Sequence, residues 1–277
     1  MTYWLKHGFV ALAVVASACA LGINYPSPDG PRYIGGRSPP PLLEGARDTI
    51  PGALRVVTFN TRHAVEIDST IALLRDTPAL QRADIVALQE VDAPATDHIA
   101  RSLGMEYVYY PATRHPKFGR DFGNAILTRW PIMEDRKLLL PHLGRFRRTV
   151  RTATAVTITV NGNAIRVYSA HLGTAAEVGP RQKREQMQVI VDDAAAHARV
   201  VILGDMNGHG VGKVLLAAGY QWPTEHNPRT ISFGNWDHVF LKGISLAHDG
   251  AMGVVPDSRR ASDHRAVWAV IAGAAGR

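Results

Sequence analysis

Six apolar runs in this chain each stop on, or open from, an acid, an amide or an imidazole, and no other feature constrains the fold as strongly. Arg55-Val56-Val57-Thr58-Phe59 ends in Asn60, Ile85-Val86-Ala87-Leu88-Gln89 in Glu90, and Val167-Tyr168-Ser169-Ala170 in His171. Val200-Val201-Ile202-Leu203-Gly204 ends in Asp205, with Asn207 two residues on, while Asp237 and Ser262-Asp263-His264 open the last two runs. Runs this short, rich in Val and Ile and bounded by turn formers, read as buried strands. One such polar residue is an ordinary turn former. The same placement repeated six times is hard to assign to turns, and function tends to lie where rigid strands deliver side chains into loops.

The intervening sequence fits that frame. Residues 107–110, 124–128 and 137–140 read as further strands, and 149–160 alternates Thr with apolar residues at the period of a half-buried strand. Asn161-Gly162-Asn163 is a hairpin signal into a partner strand over 165–170. Helical spacing is confined to about 68–74 and 181–196. Hairpins with so few crossover helices argue against a doubly wound parallel sheet. They predict an α+β fold of mixed, mostly antiparallel sheets with helices outside, spanning 53–277 as one domain.

The first fifty residues read as delivery and tether. Lys6 precedes an apolar run over 8–18 that closes on Ala16-Ser17-Ala18-Cys19. Eleven residues fall well short of the roughly 20 that span a bilayer as a helix. A positive start, a short apolar middle and small residues at the end are the shape of a signal peptide over 1–18. The closing motif resembles a bacterial lipobox with Ala16 where Leu is usual, which implies lipidation of Cys19 and a membrane-anchored lipoprotein. Cleavage by ordinary signal peptidase to a soluble periplasmic or secreted protein, and an uncleaved anchor, stay open as alternatives. Cys19 is the single cysteine, so neither a disulfide framework nor a Cys-based zinc site is available, and any metal must be held by oxygen or histidine. Residues 19–52 read as a linker, with seven prolines and six glycines between Gly22 and Gly52. The chain carries 31 Lys and Arg against 24 Asp and Glu, and loss of 1–18 removes only Lys6, leaving 30 − 24 = +6. That balance favours partners bearing phosphate or another anion.

Thr58-Phe59-Asn60, Leu88-Gln89-Glu90-Val91, the run from Gly123-Asn124 to Thr128-Arg129, Ser169-Ala170-His171-Leu172, Gly204-Asp205-Met206-Asn207, Trp236-Asp237-His238-Val239 and Ser262-Asp263-His264-Arg265 occur in that order. Together they resemble the endonuclease/exonuclease/phosphatase (DNase I-like) superfamily of metal-dependent phosphoesterases across about residues 54–271. The resemblance implies a four-layer α/β/β/α sandwich, two packed mixed sheets flanked by helices, with the site at one end. It also implies roles. Glu90 is the metal ligand, helped by Asn60 and by Asp263. Asp205 aligns or deprotonates the attacking water, and Asn207 holds that water or the phosphate. His171 and His264 donate to phosphoryl oxygens, Asp237 orients His264 and raises its pKa, and Asn124 lies near the phosphate.

These residue types also suit the chemistry taken by itself. Phosphoester hydrolysis needs a cation against the phosphoryl oxygens, an oriented water and donors that follow the developing charge. Mg²⁺ prefers carboxylate oxygen and few protein ligands, which suits Glu90 with Asn60, and Mn²⁺ is its expected substitute. The reading is therefore a Mg²⁺-dependent phosphodiesterase that uses activated water. Two other classes compete: a non-catalytic lipoprotein that captures phosphorylated ligands, and a metal-independent carboxylate-pair glycosidase.

Basic residues cluster around the motifs: Arg114, Lys117 and Arg120; Arg145, Arg147, Arg148 and Arg151; Arg181, Lys183 and Arg184; Arg259 and Arg260. Arg148, in the 145–151 stretch, is expected to bind substrate phosphate. Phe233-Gly234-Asn235 precedes Trp236-Asp237, unlike the Pro-Ala-Trp-x-Asp-Arg signature of inositol polyphosphate phosphatases. Gln89-Glu90-Val91-Asp92 departs from the Gln-Glu-Thr-Lys usual in abasic-site repair enzymes. Extracellular nucleic acid and phospholipid or sphingomyelin-type headgroups are the substrates left, and no protein partner is predicted.

Overall fold

A computed structural model describes residues 22–37 and 52–273. The expected signal peptide over 1–18 and Cys19 lie outside the described residues. Thirteen strands are formed among them: β1 (Ile23–Asn24), β2 (Tyr33–Gly36), β3 (Ala53–Asn60), β4 (Ile85–Val91), β5 (Glu106–Arg114), β6 (Asp121–Thr128), β7 (Ile132–Leu140), β8 (Arg151–Val160), β9 (Asn163–His171), β10 (Val200–Asp205), β11 (Asp237–Lys242), β12 (Met252–Val254) and β13 (Val267–Ala272). The helices are α1 (Ile67–Asp76), α2 (Ala93–Leu103), α3 (Pro180–Ala194) and α4 (Gly212–Ala217).

One sheet runs β1-β5-β6-β4-β3-β13-β12, with β2 also on β5, and the other runs β11-β10-β9-β8-β7. Only β3 with β4 and β9 with β10 pair in parallel; every other named strand pair is antiparallel. The inner faces meet over Val56, Ile85, Ile126, Val167, Val201, Leu203 and Val239. The outer face of the first sheet packs Val57, Phe59 and Leu88 against Leu73 and Ile99 of α1 and α2. The outer face of the second packs Tyr168, Ile202 and Phe240 against Met187 and Ile190 of α3. The fold is thus the expected α+β sandwich of two mixed sheets between helices. Because the central strands are buried on both faces, their sequences read as unbroken apolar runs. Each such Val, Leu or Ile contributes roughly 1.5–3 kcal/mol when removed from water.

Besides the short α4 and β12, for which the sequence gives no expectation, two features depart from the sequence reading. Helix α2 has a narrow apolar stripe, Ala95, Ile99 and Ala100, so its spacing is faint. Its ends carry the stronger signal: Asp92 accepts from the Ala95 N–H at 2.9 Å, Pro94 lies in the first turn, and Gly104 closes it at φ 64°. The second departure is that residues 22–37, read as linker, add two short strands to the sheet edge through β5. Pro26, Pro28 and Pro31 fall between those strands, where no ladder N–H is needed. This strap is tied down underneath. Buried Lys137 donates to the Tyr25 carbonyl at 2.6 Å and the Gly30 carbonyl at 3.3 Å, and burial lowers its pKa to about 8. Gly22 N–H donates to the Arg147 carbonyl at 3.0 Å, and Asn24 bridges the same loop through the Arg148 carbonyl (2.7 Å) and the Val150 N–H (2.9 Å).

Candidate active site

Strand register sets the site. In the second sheet Asp205 lies opposite His171 across the parallel β9–β10 pair and opposite Asp237 across the antiparallel β10–β11 pair. In the first sheet Asn60, Gln89 and Asn124 share one level across β3, β4 and β6. Gln89 staples the two levels together: its amide donates to Ser169 Oγ at 3.0 Å, and Ser169 Oγ–H donates to the Leu88 carbonyl at 3.1 Å.

Glu90 is turned toward the second sheet by its own backbone. It sits at φ 56°, and the β4–β6 register shifts between Gln89 and Val91. A non-glycine residue held in that region is a local cost that surrounding structure must sustain. Thr61 supplies the support, donating its hydroxyl to the Gln89 and Glu90 carbonyls at 3.1 and 3.0 Å. The Asn60 amide then donates both to Glu90 Oε1 at 3.1 Å and to Asp205 Oδ2 at 3.0 Å, while its Oδ1 accepts from the Arg62 N–H. One side chain therefore binds a carboxylate of the first sheet to a carboxylate of the second.

Around Asp205 Oδ2 lie His171 Nε2 at 3.6 Å and His264 Nε2 at 3.8 Å. His264 Nδ1–H donates to Asp237 Oδ2 at 2.9 Å, as the sequence predicts. Burial works against the charged ring, but Asp237, and after it Asp205 and Glu90, outweigh it and raise His264 to about 10. Burial first, then the charge of Asp237 across the strand pair, push Asp205 up to about 7; His264 and the N–H groups of Asn207 and Asn60 oppose that rise. Burial likewise raises Glu90. Asp205, Asp237 and His264 place three potential ligand atoms within 4.8 Å of one another, whereas half-exposed Asp263 stands at the rim, 3.9 Å from Arg62. The compact trio is thus not the expected Glu90, Asn60 and Asp263 set. Its His264 nitrogen is already bonded to Asp237, and a protonated ring is a donor rather than a ligand.

Three expected site residues have partners or positions that the sequence does not show. The Asn124 amide donates to the Thr152 carbonyl at 2.6 Å, holding β6 to β8, with Thr152 Oγ1 a further 3.4 Å contact, while its buried Oδ1 has no hydrogen-bond partner. The Asn207 amide donates to the Leu172 carbonyl at 3.0 Å, while its backbone N–H holds Asp205 Oδ1 at 2.8 Å; it positions the acid. Arg148 is exposed on the loop before β8, at φ 54°, outside the buried cluster.

His171 does lie in the cluster, but as a neutral ring. Burial, then the Arg151 guanidinium with Nη1 3.1 Å from both ring nitrogens, hold its pKa well below the ordinary value. Arg151 in turn pairs with Glu177. The sequence places Arg151 in the basic 145–151 stretch without a role of its own; the signal for one is its position at the start of the strand antiparallel to the one ending in His171. Also unanticipated is a ring wall beside Glu90, in which His63 lies 4.6 Å from His115, 4.5 Å from Phe118 and 5.4 Å from Phe122. Buried Lys183 donates to the Asn207 carbonyl and fixes the loop after β10.

No curated protein matches this sequence. The model of the Endonuclease/Exonuclease/phosphatase family matches residues 57–264. Among solved structures, humanized D. rerio TDP2 carrying 14 mutations is similar at 17% identity and TM-score 0.63, covering 79% of this chain and 99% of that one. An endonuclease/exonuclease/phosphatase family protein from Leptotrichia buccalis is similar at 20% identity and TM-score 0.59, covering 78% and 98%. Sphingomyelinase C from Streptomyces griseocarneus is similar at 17% identity and TM-score 0.56, covering 79% and 99%. At these identities the likeness is one of fold.

Proposed function

From the premise that the chain belongs to the endonuclease/exonuclease/phosphatase family of phosphoesterase hydrolases, we propose that it is an exported, Mg²⁺-dependent phosphodiesterase that hydrolyses its substrate with activated water and no covalent enzyme intermediate. The observation that carries this reading is the Asn60 amide shared between Glu90 and Asp205, which joins a ligand-type carboxylate to a water-directing one across the two sheets.

The donor set fits a divalent cation. Two buried carboxyls are both pushed toward neutrality by burial, and Asp237 Oδ1 is buried without a hydrogen-bond partner. Carboxyl oxygens are what this end of the sandwich offers, and oxygen ligands are what Mg²⁺ prefers, with Mn²⁺ as substitute. Glu90 and Asn60 would hold the ion, which supplies charge neutralisation at the phosphoryl oxygens.

The remaining chemistry belongs to the chain. Asp205, fixed through Oδ1 by the Asn207 N–H, directs Oδ2 into the site and accepts the proton of the attacking water; a carboxylate at about 7 is matched to that task near neutral pH. His264 is held by Asp237 with Nε2 toward Asp205, so its charged ring donates to a phosphoryl oxygen as negative charge builds. Neutral His171 has one N–H to offer, and Arg151 behind it supplies the fixed positive charge. Export and a lipid on Cys19 are part of the same proposal, supported by the apolar run and the Ala16-Ser17-Ala18-Cys19 motif.

Turnover of bis-p-nitrophenyl phosphate and p-nitrophenyl phosphate by the purified protein, with and without EDTA, tests the reading. The diester is expected to turn over, to stop with EDTA and to recover with Mg²⁺, while Asp205→Asn lowers kcat/KM by at least about 10²-fold. Activity that persists in EDTA overturns the metal-dependent mechanism.

A further inference from the structure

The loop between β7 and β8, residues 141–150, forms one side of the site mouth. The residue that follows it, Arg151, touches His171, and the charge of Arg147 acts on His115 in the ring wall. The loop is built rather than frayed. Gly144 N–H donates to the Thr149 carbonyl at 2.9 Å, Arg148 N–H to the Gly144 carbonyl at 3.0 Å, and Arg145 N–H to the Glu177 carbonyl at 3.1 Å. This rigid turn nevertheless presents Phe146 to water at 62% exposure and Leu143 at 40%, and Ile23 of the adjoining strap stands 61% exposed. Arg145, Arg147 and Arg148 surround Phe146 and are exposed. Among the described residues none of the three has a carboxylate within ion-pair distance, since nearby Glu177 is paired with Arg151.

Exposed aromatic and aliphatic side chains set among unpaired arginines are the composition of a surface that meets anionic lipid headgroups. The strap says where such a surface would lie. Gly22 is pinned to the Arg147 carbonyl, and Cys19 is only three residues before it, a span of at most about 11 Å. A lipid on Cys19 would therefore hold this loop, and the site mouth beside it, against the bilayer. We propose that the mouth faces an anionic phospholipid surface through the 141–150 loop and Ile23, and that the diester hydrolysed is one carried by a membrane lipid. The substrate half of this inference rests on the phosphodiesterase reading; the orientation half does not.

Cys19 is the sole cysteine, so a full-length Cys19→Ser chain accepts one reporter thiol at a chosen site. An environment-sensitive nitrobenzoxadiazole label is placed at Phe146→Cys, and in a second protein at Ala164→Cys, which is exposed near the opposite end of the second sheet. With vesicles of equal parts phosphatidylglycerol and phosphatidylcholine, emission at 146 is expected to rise roughly threefold or more and emission at 164 to stay flat. In unlabelled protein, Leu143→Ser with Phe146→Ser is expected to cut hydrolysis of vesicle lipid by about tenfold and leave bis-p-nitrophenyl phosphate turnover unchanged. Equal responses at the two labels, no response at either, or a response at 146 to oligothymidylate in place of vesicles overturns the proposal. A chain whose 146 label responds to vesicles but which turns over no diester would retain the orientation and lose the enzymatic reading.

Discussion

Replacing Asp237 by Asn removes a buried negative charge while keeping the side-chain volume, and the response of His264 measures what that charge does. In the native arrangement Asp237 Oδ2 accepts from His264 Nδ1 at 2.9 Å, and the ring titrates at about 10 rather than 6.5. That difference corresponds to roughly 5 kcal/mol in favour of the charged ring. Burial is the largest influence on His264 and disfavours charge, so with Asp237 neutral the ring is expected to fall back toward 6.5, with Asp205 and Glu90 alone opposing it. At pH 8 the charged fraction then drops from nearly all to about 3%, and kcat/KM on a soluble phosphodiester falls about 30-fold if the imidazolium is the required donor. The stability sign follows. A group raised on folding contributes fully below 6.5 and loses its contribution as pH rises through about 10, so the wild type should weaken over that interval and Asp237→Asn should not. Nitrogen-15 NMR of the imidazoles in EDTA, with kcat/KM profiles in Mg²⁺, reads both effects. A His264 that still titrates near 10 in Asp237→Asn, or kcat/KM at pH 8 within about threefold of wild type, refutes the reasoning.

Three further outcomes are expected. Mg²⁺ should raise the thermal midpoint of the wild type increasingly as pH rises, because the ion competes with a proton for a carboxyl that burial already raises; Glu90→Gln should abolish that shift in differential scanning fluorimetry. Gly204→Ala should cost at least about 3 kcal/mol in denaturant titration, because Gly204 sits at φ 151° and an added Cβ would lie 2.0 Å from the Ala170 carbonyl oxygen. Asn24→Ala removes two hydrogen bonds to the 141–150 loop and should accelerate amide exchange of Val150 by an amount matching about 1–3 kcal/mol, with less effect on global stability.

The strands were legible because double burial leaves continuous apolar runs, and the site was legible because each run breaks on a residue type suited to phosphoryl transfer. Glu90, Asn60, Asp205, His171, Asp237 and His264 all converge as the strand ends foretold. What the sequence could not convey is where a second donor goes. Asn124 and Asn207 look like phosphate binders by type, yet their amides point to carbonyls of neighbouring segments, a choice made only when β6 meets β8 and the loop after β9 meets that after β10. His171 is held neutral by its burial and then by Arg151, which arrives from another strand. Residues 22–37 look like a linker because their apolar residues have no period, whereas their binding comes from β5 and from Lys137, far along the chain. Local pattern reports burial; pairing decides protonation and partners.

The side-by-side placement of His171, Asp205 and Asp237 has a consequence for assembly. Each reaches the same height only because β9, β10 and β11 are aligned residue for residue. A slip of one position in β10 would bring Gly204 or Met206 to that height and turn Asp205 into the apolar layer. The centre is therefore an alignment mark: a chain folded one notch out in β10 parts Asp205 at once from His171, from Asp237 and from the Asn60 amide that reaches it from the other sheet.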